Sequence, residues 1–332
     1  MLYINEYSKA LDFYKKIVPC WLKIKIHGVS RIKEGDQTKC TYCDTTECEN
    51  LKTKNHNYSF DESVKDLLKV DIIDKLLLSE PRDLVILTQQ IDAVVLEEKE
   101  TVALEDLFKK SGYKTFFQTN NGREFLNHLN RSTCSYCNRN YTINITSKNA
   151  SAQLDHWFPK DKFPFLALSF FNLIPSCSSC NHMKGNSDKD KGWWSTTALD
   201  ELIHPYFEEA DHKFKFDFNF EKSTNNLFVL FRDVEGDKTM KTLKFNLTKE
   251  IYQAHSELEL RDLYDLRKKY SKNYLKYLLK ILHKHEPSEA EKYRMLFNVE
   301  KNEKDYHKRP FSKFKNDIIE QLLKIDNKKS NL

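Results

Sequence analysis

Glycine and proline are scarce in this chain, 7 and 8 residues among 332, which argues against long disordered segments. No run of about 18 or more apolar residues is present, so no membrane span is expected. The start at Met1 has no charged region leading into an apolar one, and secretion is not expected either. Net charge is only +5, so a nucleic-acid partner must be engaged by local patches and not by the charge of the whole. Aromatic residues are plentiful: 22 Phe, 16 Tyr and 4 Trp compensate for an apolar fraction of 39%. The 8 cysteines stand at metal-type spacings in a chain without an export signal, which points to a reducing cytoplasm.

The cysteines carry the first chemical signal. Cys134-Ser135-Tyr136-Cys137 and Cys177-Ser178-Ser179-Cys180 are two Cys-x-x-Cys turns, each able to aim two sulfurs inward. Together Cys134, Cys137, Cys177 and Cys180 form the ligand set of a tetrahedral structural Zn²⁺ site. Either pair alone could be a redox motif or a pair of reduced thiols, but that would not explain a second pair of identical spacing. The long interval between the pairs requires a folded insertion. Tyr141 to Thr146 alternates and reads as a strand; Gln153 to Trp157 would return antiparallel to it and stop at Pro159. A short helix is expected after Pro175, with Ser176 as its N-cap.

This stretch resembles the ββα-metal fold of HNH endonucleases. The resemblance rests on Asp155-His156 followed by Pro159, on Asn172-Leu173, and on Cys180-Asn181 followed by Lys184-Gly185. It covers residues 130–206, including His204-Pro205-Tyr206. It implies that His156 is the general base, that Asp155 and Asn181 hold a divalent cation, Mg²⁺ or Mn²⁺, and that Asn172 braces the loop. The chemistry is coherent for these residue types: an imidazole can deprotonate water, and a hard cation takes oxygen ligands from a carboxylate and an amide. Adjacent helical residues point about 100° apart, so of Asn181 and His182 only one faces the site, and Asn181 is favoured. Each residue taken singly could be an ordinary turn or hydrogen-bonding residue. Lys184 and Lys160 are candidate phosphate contacts.

Outside this stretch the chain reads as α+β. Residues 1–125 are expected to be a mostly helical N-terminal domain, 126–208 the HNH module, and 209–332 a small antiparallel sheet with helices. Leu22 to Ile26 alternates like a short strand. Cys40-Thr41-Tyr42-Cys43, with Cys48 and possibly His56, offers a second zinc site or a group of reduced thiols. Helices are expected from about Ser59, after Pro81, from Thr101 to Gly112 and from Gly122 to Leu129. Trp193 and Trp194 are read as closing the small module in preference to stacking on bases. Three strands are expected at Lys213–Phe220, Leu227–Phe231 and Thr242–Leu247. Lys268, Lys272, Lys276, Lys280 and Lys284 repeat at helical spacing; Lys268, Lys272 and Lys276 are candidates for contact with a phosphate backbone, although such a stripe also serves as a solvated face.

The layout of the whole chain is similar to bacterial HNH effectors of anti-phage systems such as Septu and some retrons. DNA is the expected substrate, with RNA such as tRNA, or a non-catalytic zinc module, as the alternatives; the module grips phosphates, and surrounding surfaces choose the polymer. The likeness implies an ABC-type ATPase as a partner. No Walker-type phosphate loop occurs in the chain, so such an ATPase would be a separate protein.

Overall fold

The computed structural model describes residues 2–51, 58–143, 152–185, 189–209, 213–269 and 288–324, together with 273, 274 and 277. Helix α1, Ser8–His27, organises the N-terminal part. Ala10, Tyr14, Val18, Leu22 and Ile26 repeat every fourth residue and are all buried. That helical stripe outweighs the short alternation at Leu22–Ile26, and the expected strand there is the last turns of α1. After it comes an exposed hairpin, β1 at Arg31–Glu34 and β2 at Gln37–Cys40.

Four helices follow: α2 at Glu62–Leu67, α3 at Val70–Leu78, α4 at Pro81–Asp92 and α5 at Glu98–Asp106. The last begins before Thr101, so Thr101 is not its cap. Nor does the chain stop at Gly112: Leu107–Asn121 continues as a π-helix, and α6, Gly122–Leu129, completes the run. A β-carbon on Gly112 would lie 2.7 Å from the Leu168 side chain and 2.8 Å from the Leu107 carbonyl, so glycine here permits a close approach and does not terminate a helix.

The central module holds β3, Gln153–His156, and β4, Leu173–Ser176, paired antiparallel with Asp155 opposite Ile174. β4 is a partner of β3 that the sequence did not announce; Tyr141 makes an isolated bridge to Thr133, and 144–151, with the rest of the expected strand, lie outside the described residues. Helix α7 runs over Ser178–Lys184 with Cys177, not Ser176, at its N-cap position. Gly185 ends it at φ +47°, a left-handed φ that glycine adopts without strain.

Beyond α8, Thr196–Glu201, strands β5, Lys215–Glu221, and β6, Asn226–Arg232, form a hairpin. The expected third strand is helical instead: α9 spans Asp237–Phe245, burying Thr239, Thr242 and Leu243 at helical spacing. Helices α10, Thr248–Gln253, α11, Arg261–Lys269, α12, Glu289–Phe297, and α13, Ser312–Lys324, finish the described chain. The fold is α+β, with three two-stranded antiparallel sheets among the described residues. One apolar core runs from Ile4 to Leu322, and no helix in the described residues is long and apolar enough to cross a membrane.

Candidate active site and zinc knuckle

Cys134, Cys137, Cys177 and Cys180 come together as the spacing predicts. Their sulfurs lie within 4.8 Å of one another, all four residues are buried, and Cys137 and Cys177 Sγ are 4.0 Å apart. The edge of a tetrahedron of sulfurs about 2.3 Å from a zinc ion is about 3.8 Å, close to the Cys137–Cys177 separation, so the set suits zinc. Donors converge on the sulfurs from outside: Asn140 Nδ2 stands 3.3 Å from Cys177 Sγ and the Arg139 backbone N–H 3.5 Å from Cys137 Sγ. Burial pushes the Cys134 thiol up, whereas hydrogen bonds from the neighbouring thiols hold Cys177 down. Four sulfurs leave no open coordination position, so this site is structural in kind.

Beside it, an open cavity of about 830 Å³ is lined by Asp155, His156 and Asn181, with Lys160, His182 and Gly185 on its rim. Strand β3 supplies the first two residues and α7 the third. His156 Nε2 lies 2.9 Å from the Ala167 carbonyl, which can only accept a hydrogen bond. The neutral ring therefore carries its proton on Nε2 and keeps the lone pair on Nδ1. Burial pushes the pKa of His156 down to about 4, so the ring is neutral at ordinary pH. The Tyr113 ring meets it edge-on at 4.3 Å.

Asn172 is buried and fully engaged. Its Oδ1 accepts from the Phe158 N–H at 2.6 Å, and its Nδ2 donates to the carbonyls of Leu166 at 2.8 Å and Phe158 at 3.2 Å. These bonds close the loop between β3 and β4, which carries Ala167. Asn181 Nδ2 donates to Gln153 Oε1 at 2.7 Å, which leaves its amide oxygen to offer a cation. Asp155 Oδ2 accepts from Tyr136 Oη at 2.6 Å and from Lys184 Nζ at 2.8 Å. Its Oδ1 is the oxygen to offer a cation, so Asp155 and Asn181 suit a hard divalent ion that keeps several waters.

Residues 133–187 match the HNH endonuclease family. This segment is the part of the chain similar to HNH domains. Over 118 residues the chain is also 26% identical to the Septu protein PtuB of Bacillus thuringiensis, a match covering 36% of this chain and 38% of that protein. The chain thus spans well under half the length of that relative. No solved structure matches.

Within the HNH domain, Lys184 departs from its expected role. Its ammonium is buried, donating to Asp155 and to the carbonyls of His156 and Trp157, and it lies 5.4 Å from the Trp194 ring. Burial lowers its pKa. A group so enclosed cannot reach a phosphate in this conformation. Lys160 remains on the rim, partly exposed. Lys268 is exposed on α11 and does not line the cavity, and Lys272 and Lys276 lie outside the described residues, as do Lys280 and Lys284. Trp194 is fully buried against Trp157, with Trp193 half-buried beside it, so both close the module. His204 is buried against Trp157.

Two cavity residues come from outside the HNH domain. Tyr113 and Gln118 project from the π-helix. Local sequence gave no sign of them beyond Gly112, whose meaning depends on Leu168, distant in the chain. The fourth member of the N-terminal cysteine group was also missed. Cys40, Cys43 and Cys48 gather with Cys20 of α1, while His56 lies outside the described residues.

Proposed function

We propose that this chain is a metal-dependent endonuclease that hydrolyses phosphodiester bonds in DNA as an effector of anti-phage defence, working beside a separate ABC-type ATPase. The observation that carries the activity is the convergence of His156, Asp155 and Asn181 on one open cavity braced by a buried four-cysteine knuckle. The defence setting is supported by the likeness to the Septu protein, and the ATPase by the family resemblance of the whole layout.

In this reading a water held in the cavity loses its proton to Nδ1 of His156, because the Nε2 proton is committed to Ala167. Asn172 keeps that carbonyl in place by closing the loop. Asp155 and Asn181 would hold Mg²⁺ or Mn²⁺, which when bound neutralises charge on the phosphoryl oxygens and the leaving oxygen. Lys184 fixes the Asp155 carboxylate and leaves one oxygen for the ion. Lys160 on the rim meets the phosphate backbone, with the exposed Lys268, and Lys272 and Lys276 by their spacing in the sequence, as a more distant contact.

The test is incubation of the purified full chain with supercoiled plasmid and, separately, total cellular RNA, in Mg²⁺, Mn²⁺ or EDTA. Cation-dependent nicking or linearisation of plasmid with RNA left intact is the expected result. Cleavage of RNA alone would transfer the assignment to an RNA nuclease. Cleavage of neither polymer, even with the cognate ATPase added, would leave a zinc module without nuclease activity and overturn the proposal.

A further inference from the structure

Cys20, Cys40, Cys43 and Cys48 lie outside the HNH match, and none of them lines the active cavity. Their sulfurs are within 4.8 Å of one another; Cys20 Sγ stands 3.7 Å from Cys40 Sγ and 3.5 Å from Cys48 Sγ. A disulfide requires about 2.05 Å. Sulfurs around a zinc ion are separated by about 3.8 Å, the edge of a tetrahedron with Zn–S of about 2.3 Å. The observed separations therefore match the metal geometry, and they approximate that of the HNH knuckle.

A second observation is independent of the sulfurs. The lobe from Gly28 to about Leu51 has almost no apolar core. Every residue of β1 is exposed, and β2 buries only Cys40. A separate small cluster consists of Cys20, Ile24, Cys40 and Cys48, flanked by Tyr42 and Cys43, apart from the main core. An isolated two-stranded hairpin is marginal in water. The Asn50 amide donates to the Ile17 carbonyl at 3.1 Å and adds a polar clasp to α1; a hydrogen bond of this kind contributes about 1 kcal/mol.

We propose that Cys20, Cys40, Cys43 and Cys48 form a second structural zinc site, which folds the lobe at 28–51 and fastens it to α1. Four thiolates close the coordination sphere, so the ion there has no catalytic position. Cys20 provides the anchor, since it alone of the four lies in a helix packed into the main core. The proposal is independent of the nuclease reading.

Metal analysis of the purified full chain tests it. Two zinc ions per chain are expected, falling to one in Cys43→Ser, with two restored in Cys43→His. In the Cys43→Ser protein, trypsin should cut at Arg31, Lys33 or Lys39 much faster than in wild type while the remainder stays protected. One zinc per chain in a folded wild-type protein that loses none on Cys43→Ser would overturn the proposal. So would an intact mass about 2 Da low for each pair under non-reducing conditions, the sign of disulfides. If Cys43→Ser does not fold, wild-type stoichiometry and the Cys43→His protein decide the matter.

Discussion

At Lys184, three donated hydrogen bonds hold an ammonium group inside the protein beside a carboxylate, with side-chain exposures of 5% for Lys184 and 7% for Asp155. Removing one partner of such a pair strands the other charge, which costs about 3–5 kcal/mol. Lys184→Met should therefore lose stability of that order in urea denaturation, whereas Lys160→Ala should change it by less than about 0.5 kcal/mol and act on substrate binding instead. Equal small effects would contradict the burial. His204 gives a pH prediction. It is buried with no partner for Nε2 among the described residues, and burial first, then the Lys184 charge, pushes its pKa down to about 3. Unfolded, it titrates near 6.5, so the unfolded chain binds the extra proton in acid. Its contribution to stability is complete above pH ~6.5 and is lost as pH falls toward ~3. His204→Phe should make the decline of stability with acid shallower by up to one proton; an unchanged slope would refute the shift. The four cysteines of the knuckle were readable from their spacing, and the resemblance to HNH endonucleases pointed to His156, Asp155 and Asn181, which line one cavity. The inward turn of Lys184 was not readable, because it depends on Trp157 and Trp194 meeting across the module.

Among the elements, the C-terminal hairpin supports the zinc knuckle. Phe216 of β5 packs on Tyr252 of α10 and Phe314 of α13, and Tyr252 Oη donates to the Cys137 carbonyl at 2.6 Å. Tyr252→Phe keeps the ring and deletes that bond, at a cost of about 1 kcal/mol. Zinc should then pass to a chromogenic chelator faster than from wild type; an unchanged rate would show that the brace does not bear on the knuckle. The two strands of that hairpin were legible because one face of a seven-residue alternation is buried. The alternation at Thr242–Leu247 was too short to resist a helix that starts after Gly236, and the pairing of β3 with β4 was not foreseen because it reaches across the loop that Asn172 closes.

Across the whole molecule, apolar residues from the N-terminal helices, the HNH domain and the C-terminal part belong to one continuous core. Tyr14 of α1 touches Phe117, Phe125 and Phe170, and Tyr7 touches Phe171 and Tyr206. The division at about 125 and 208 is a proposal about function more than about folding units. Thermal unfolding of the zinc-loaded protein, followed by calorimetry, should then lose the N-terminal, central and C-terminal parts in one cooperative transition. Separate transitions would show autonomous domains. In the nuclease reading cleavage depends on His156, which is tested by comparing the plasmid cleavage rate of wild type and His156→Ala in Mg²⁺, with zinc content determined on the same samples. A loss of at least about 100-fold at unchanged zinc content is the predicted result. Equal cleavage by the two proteins would contradict the assignment of the active site.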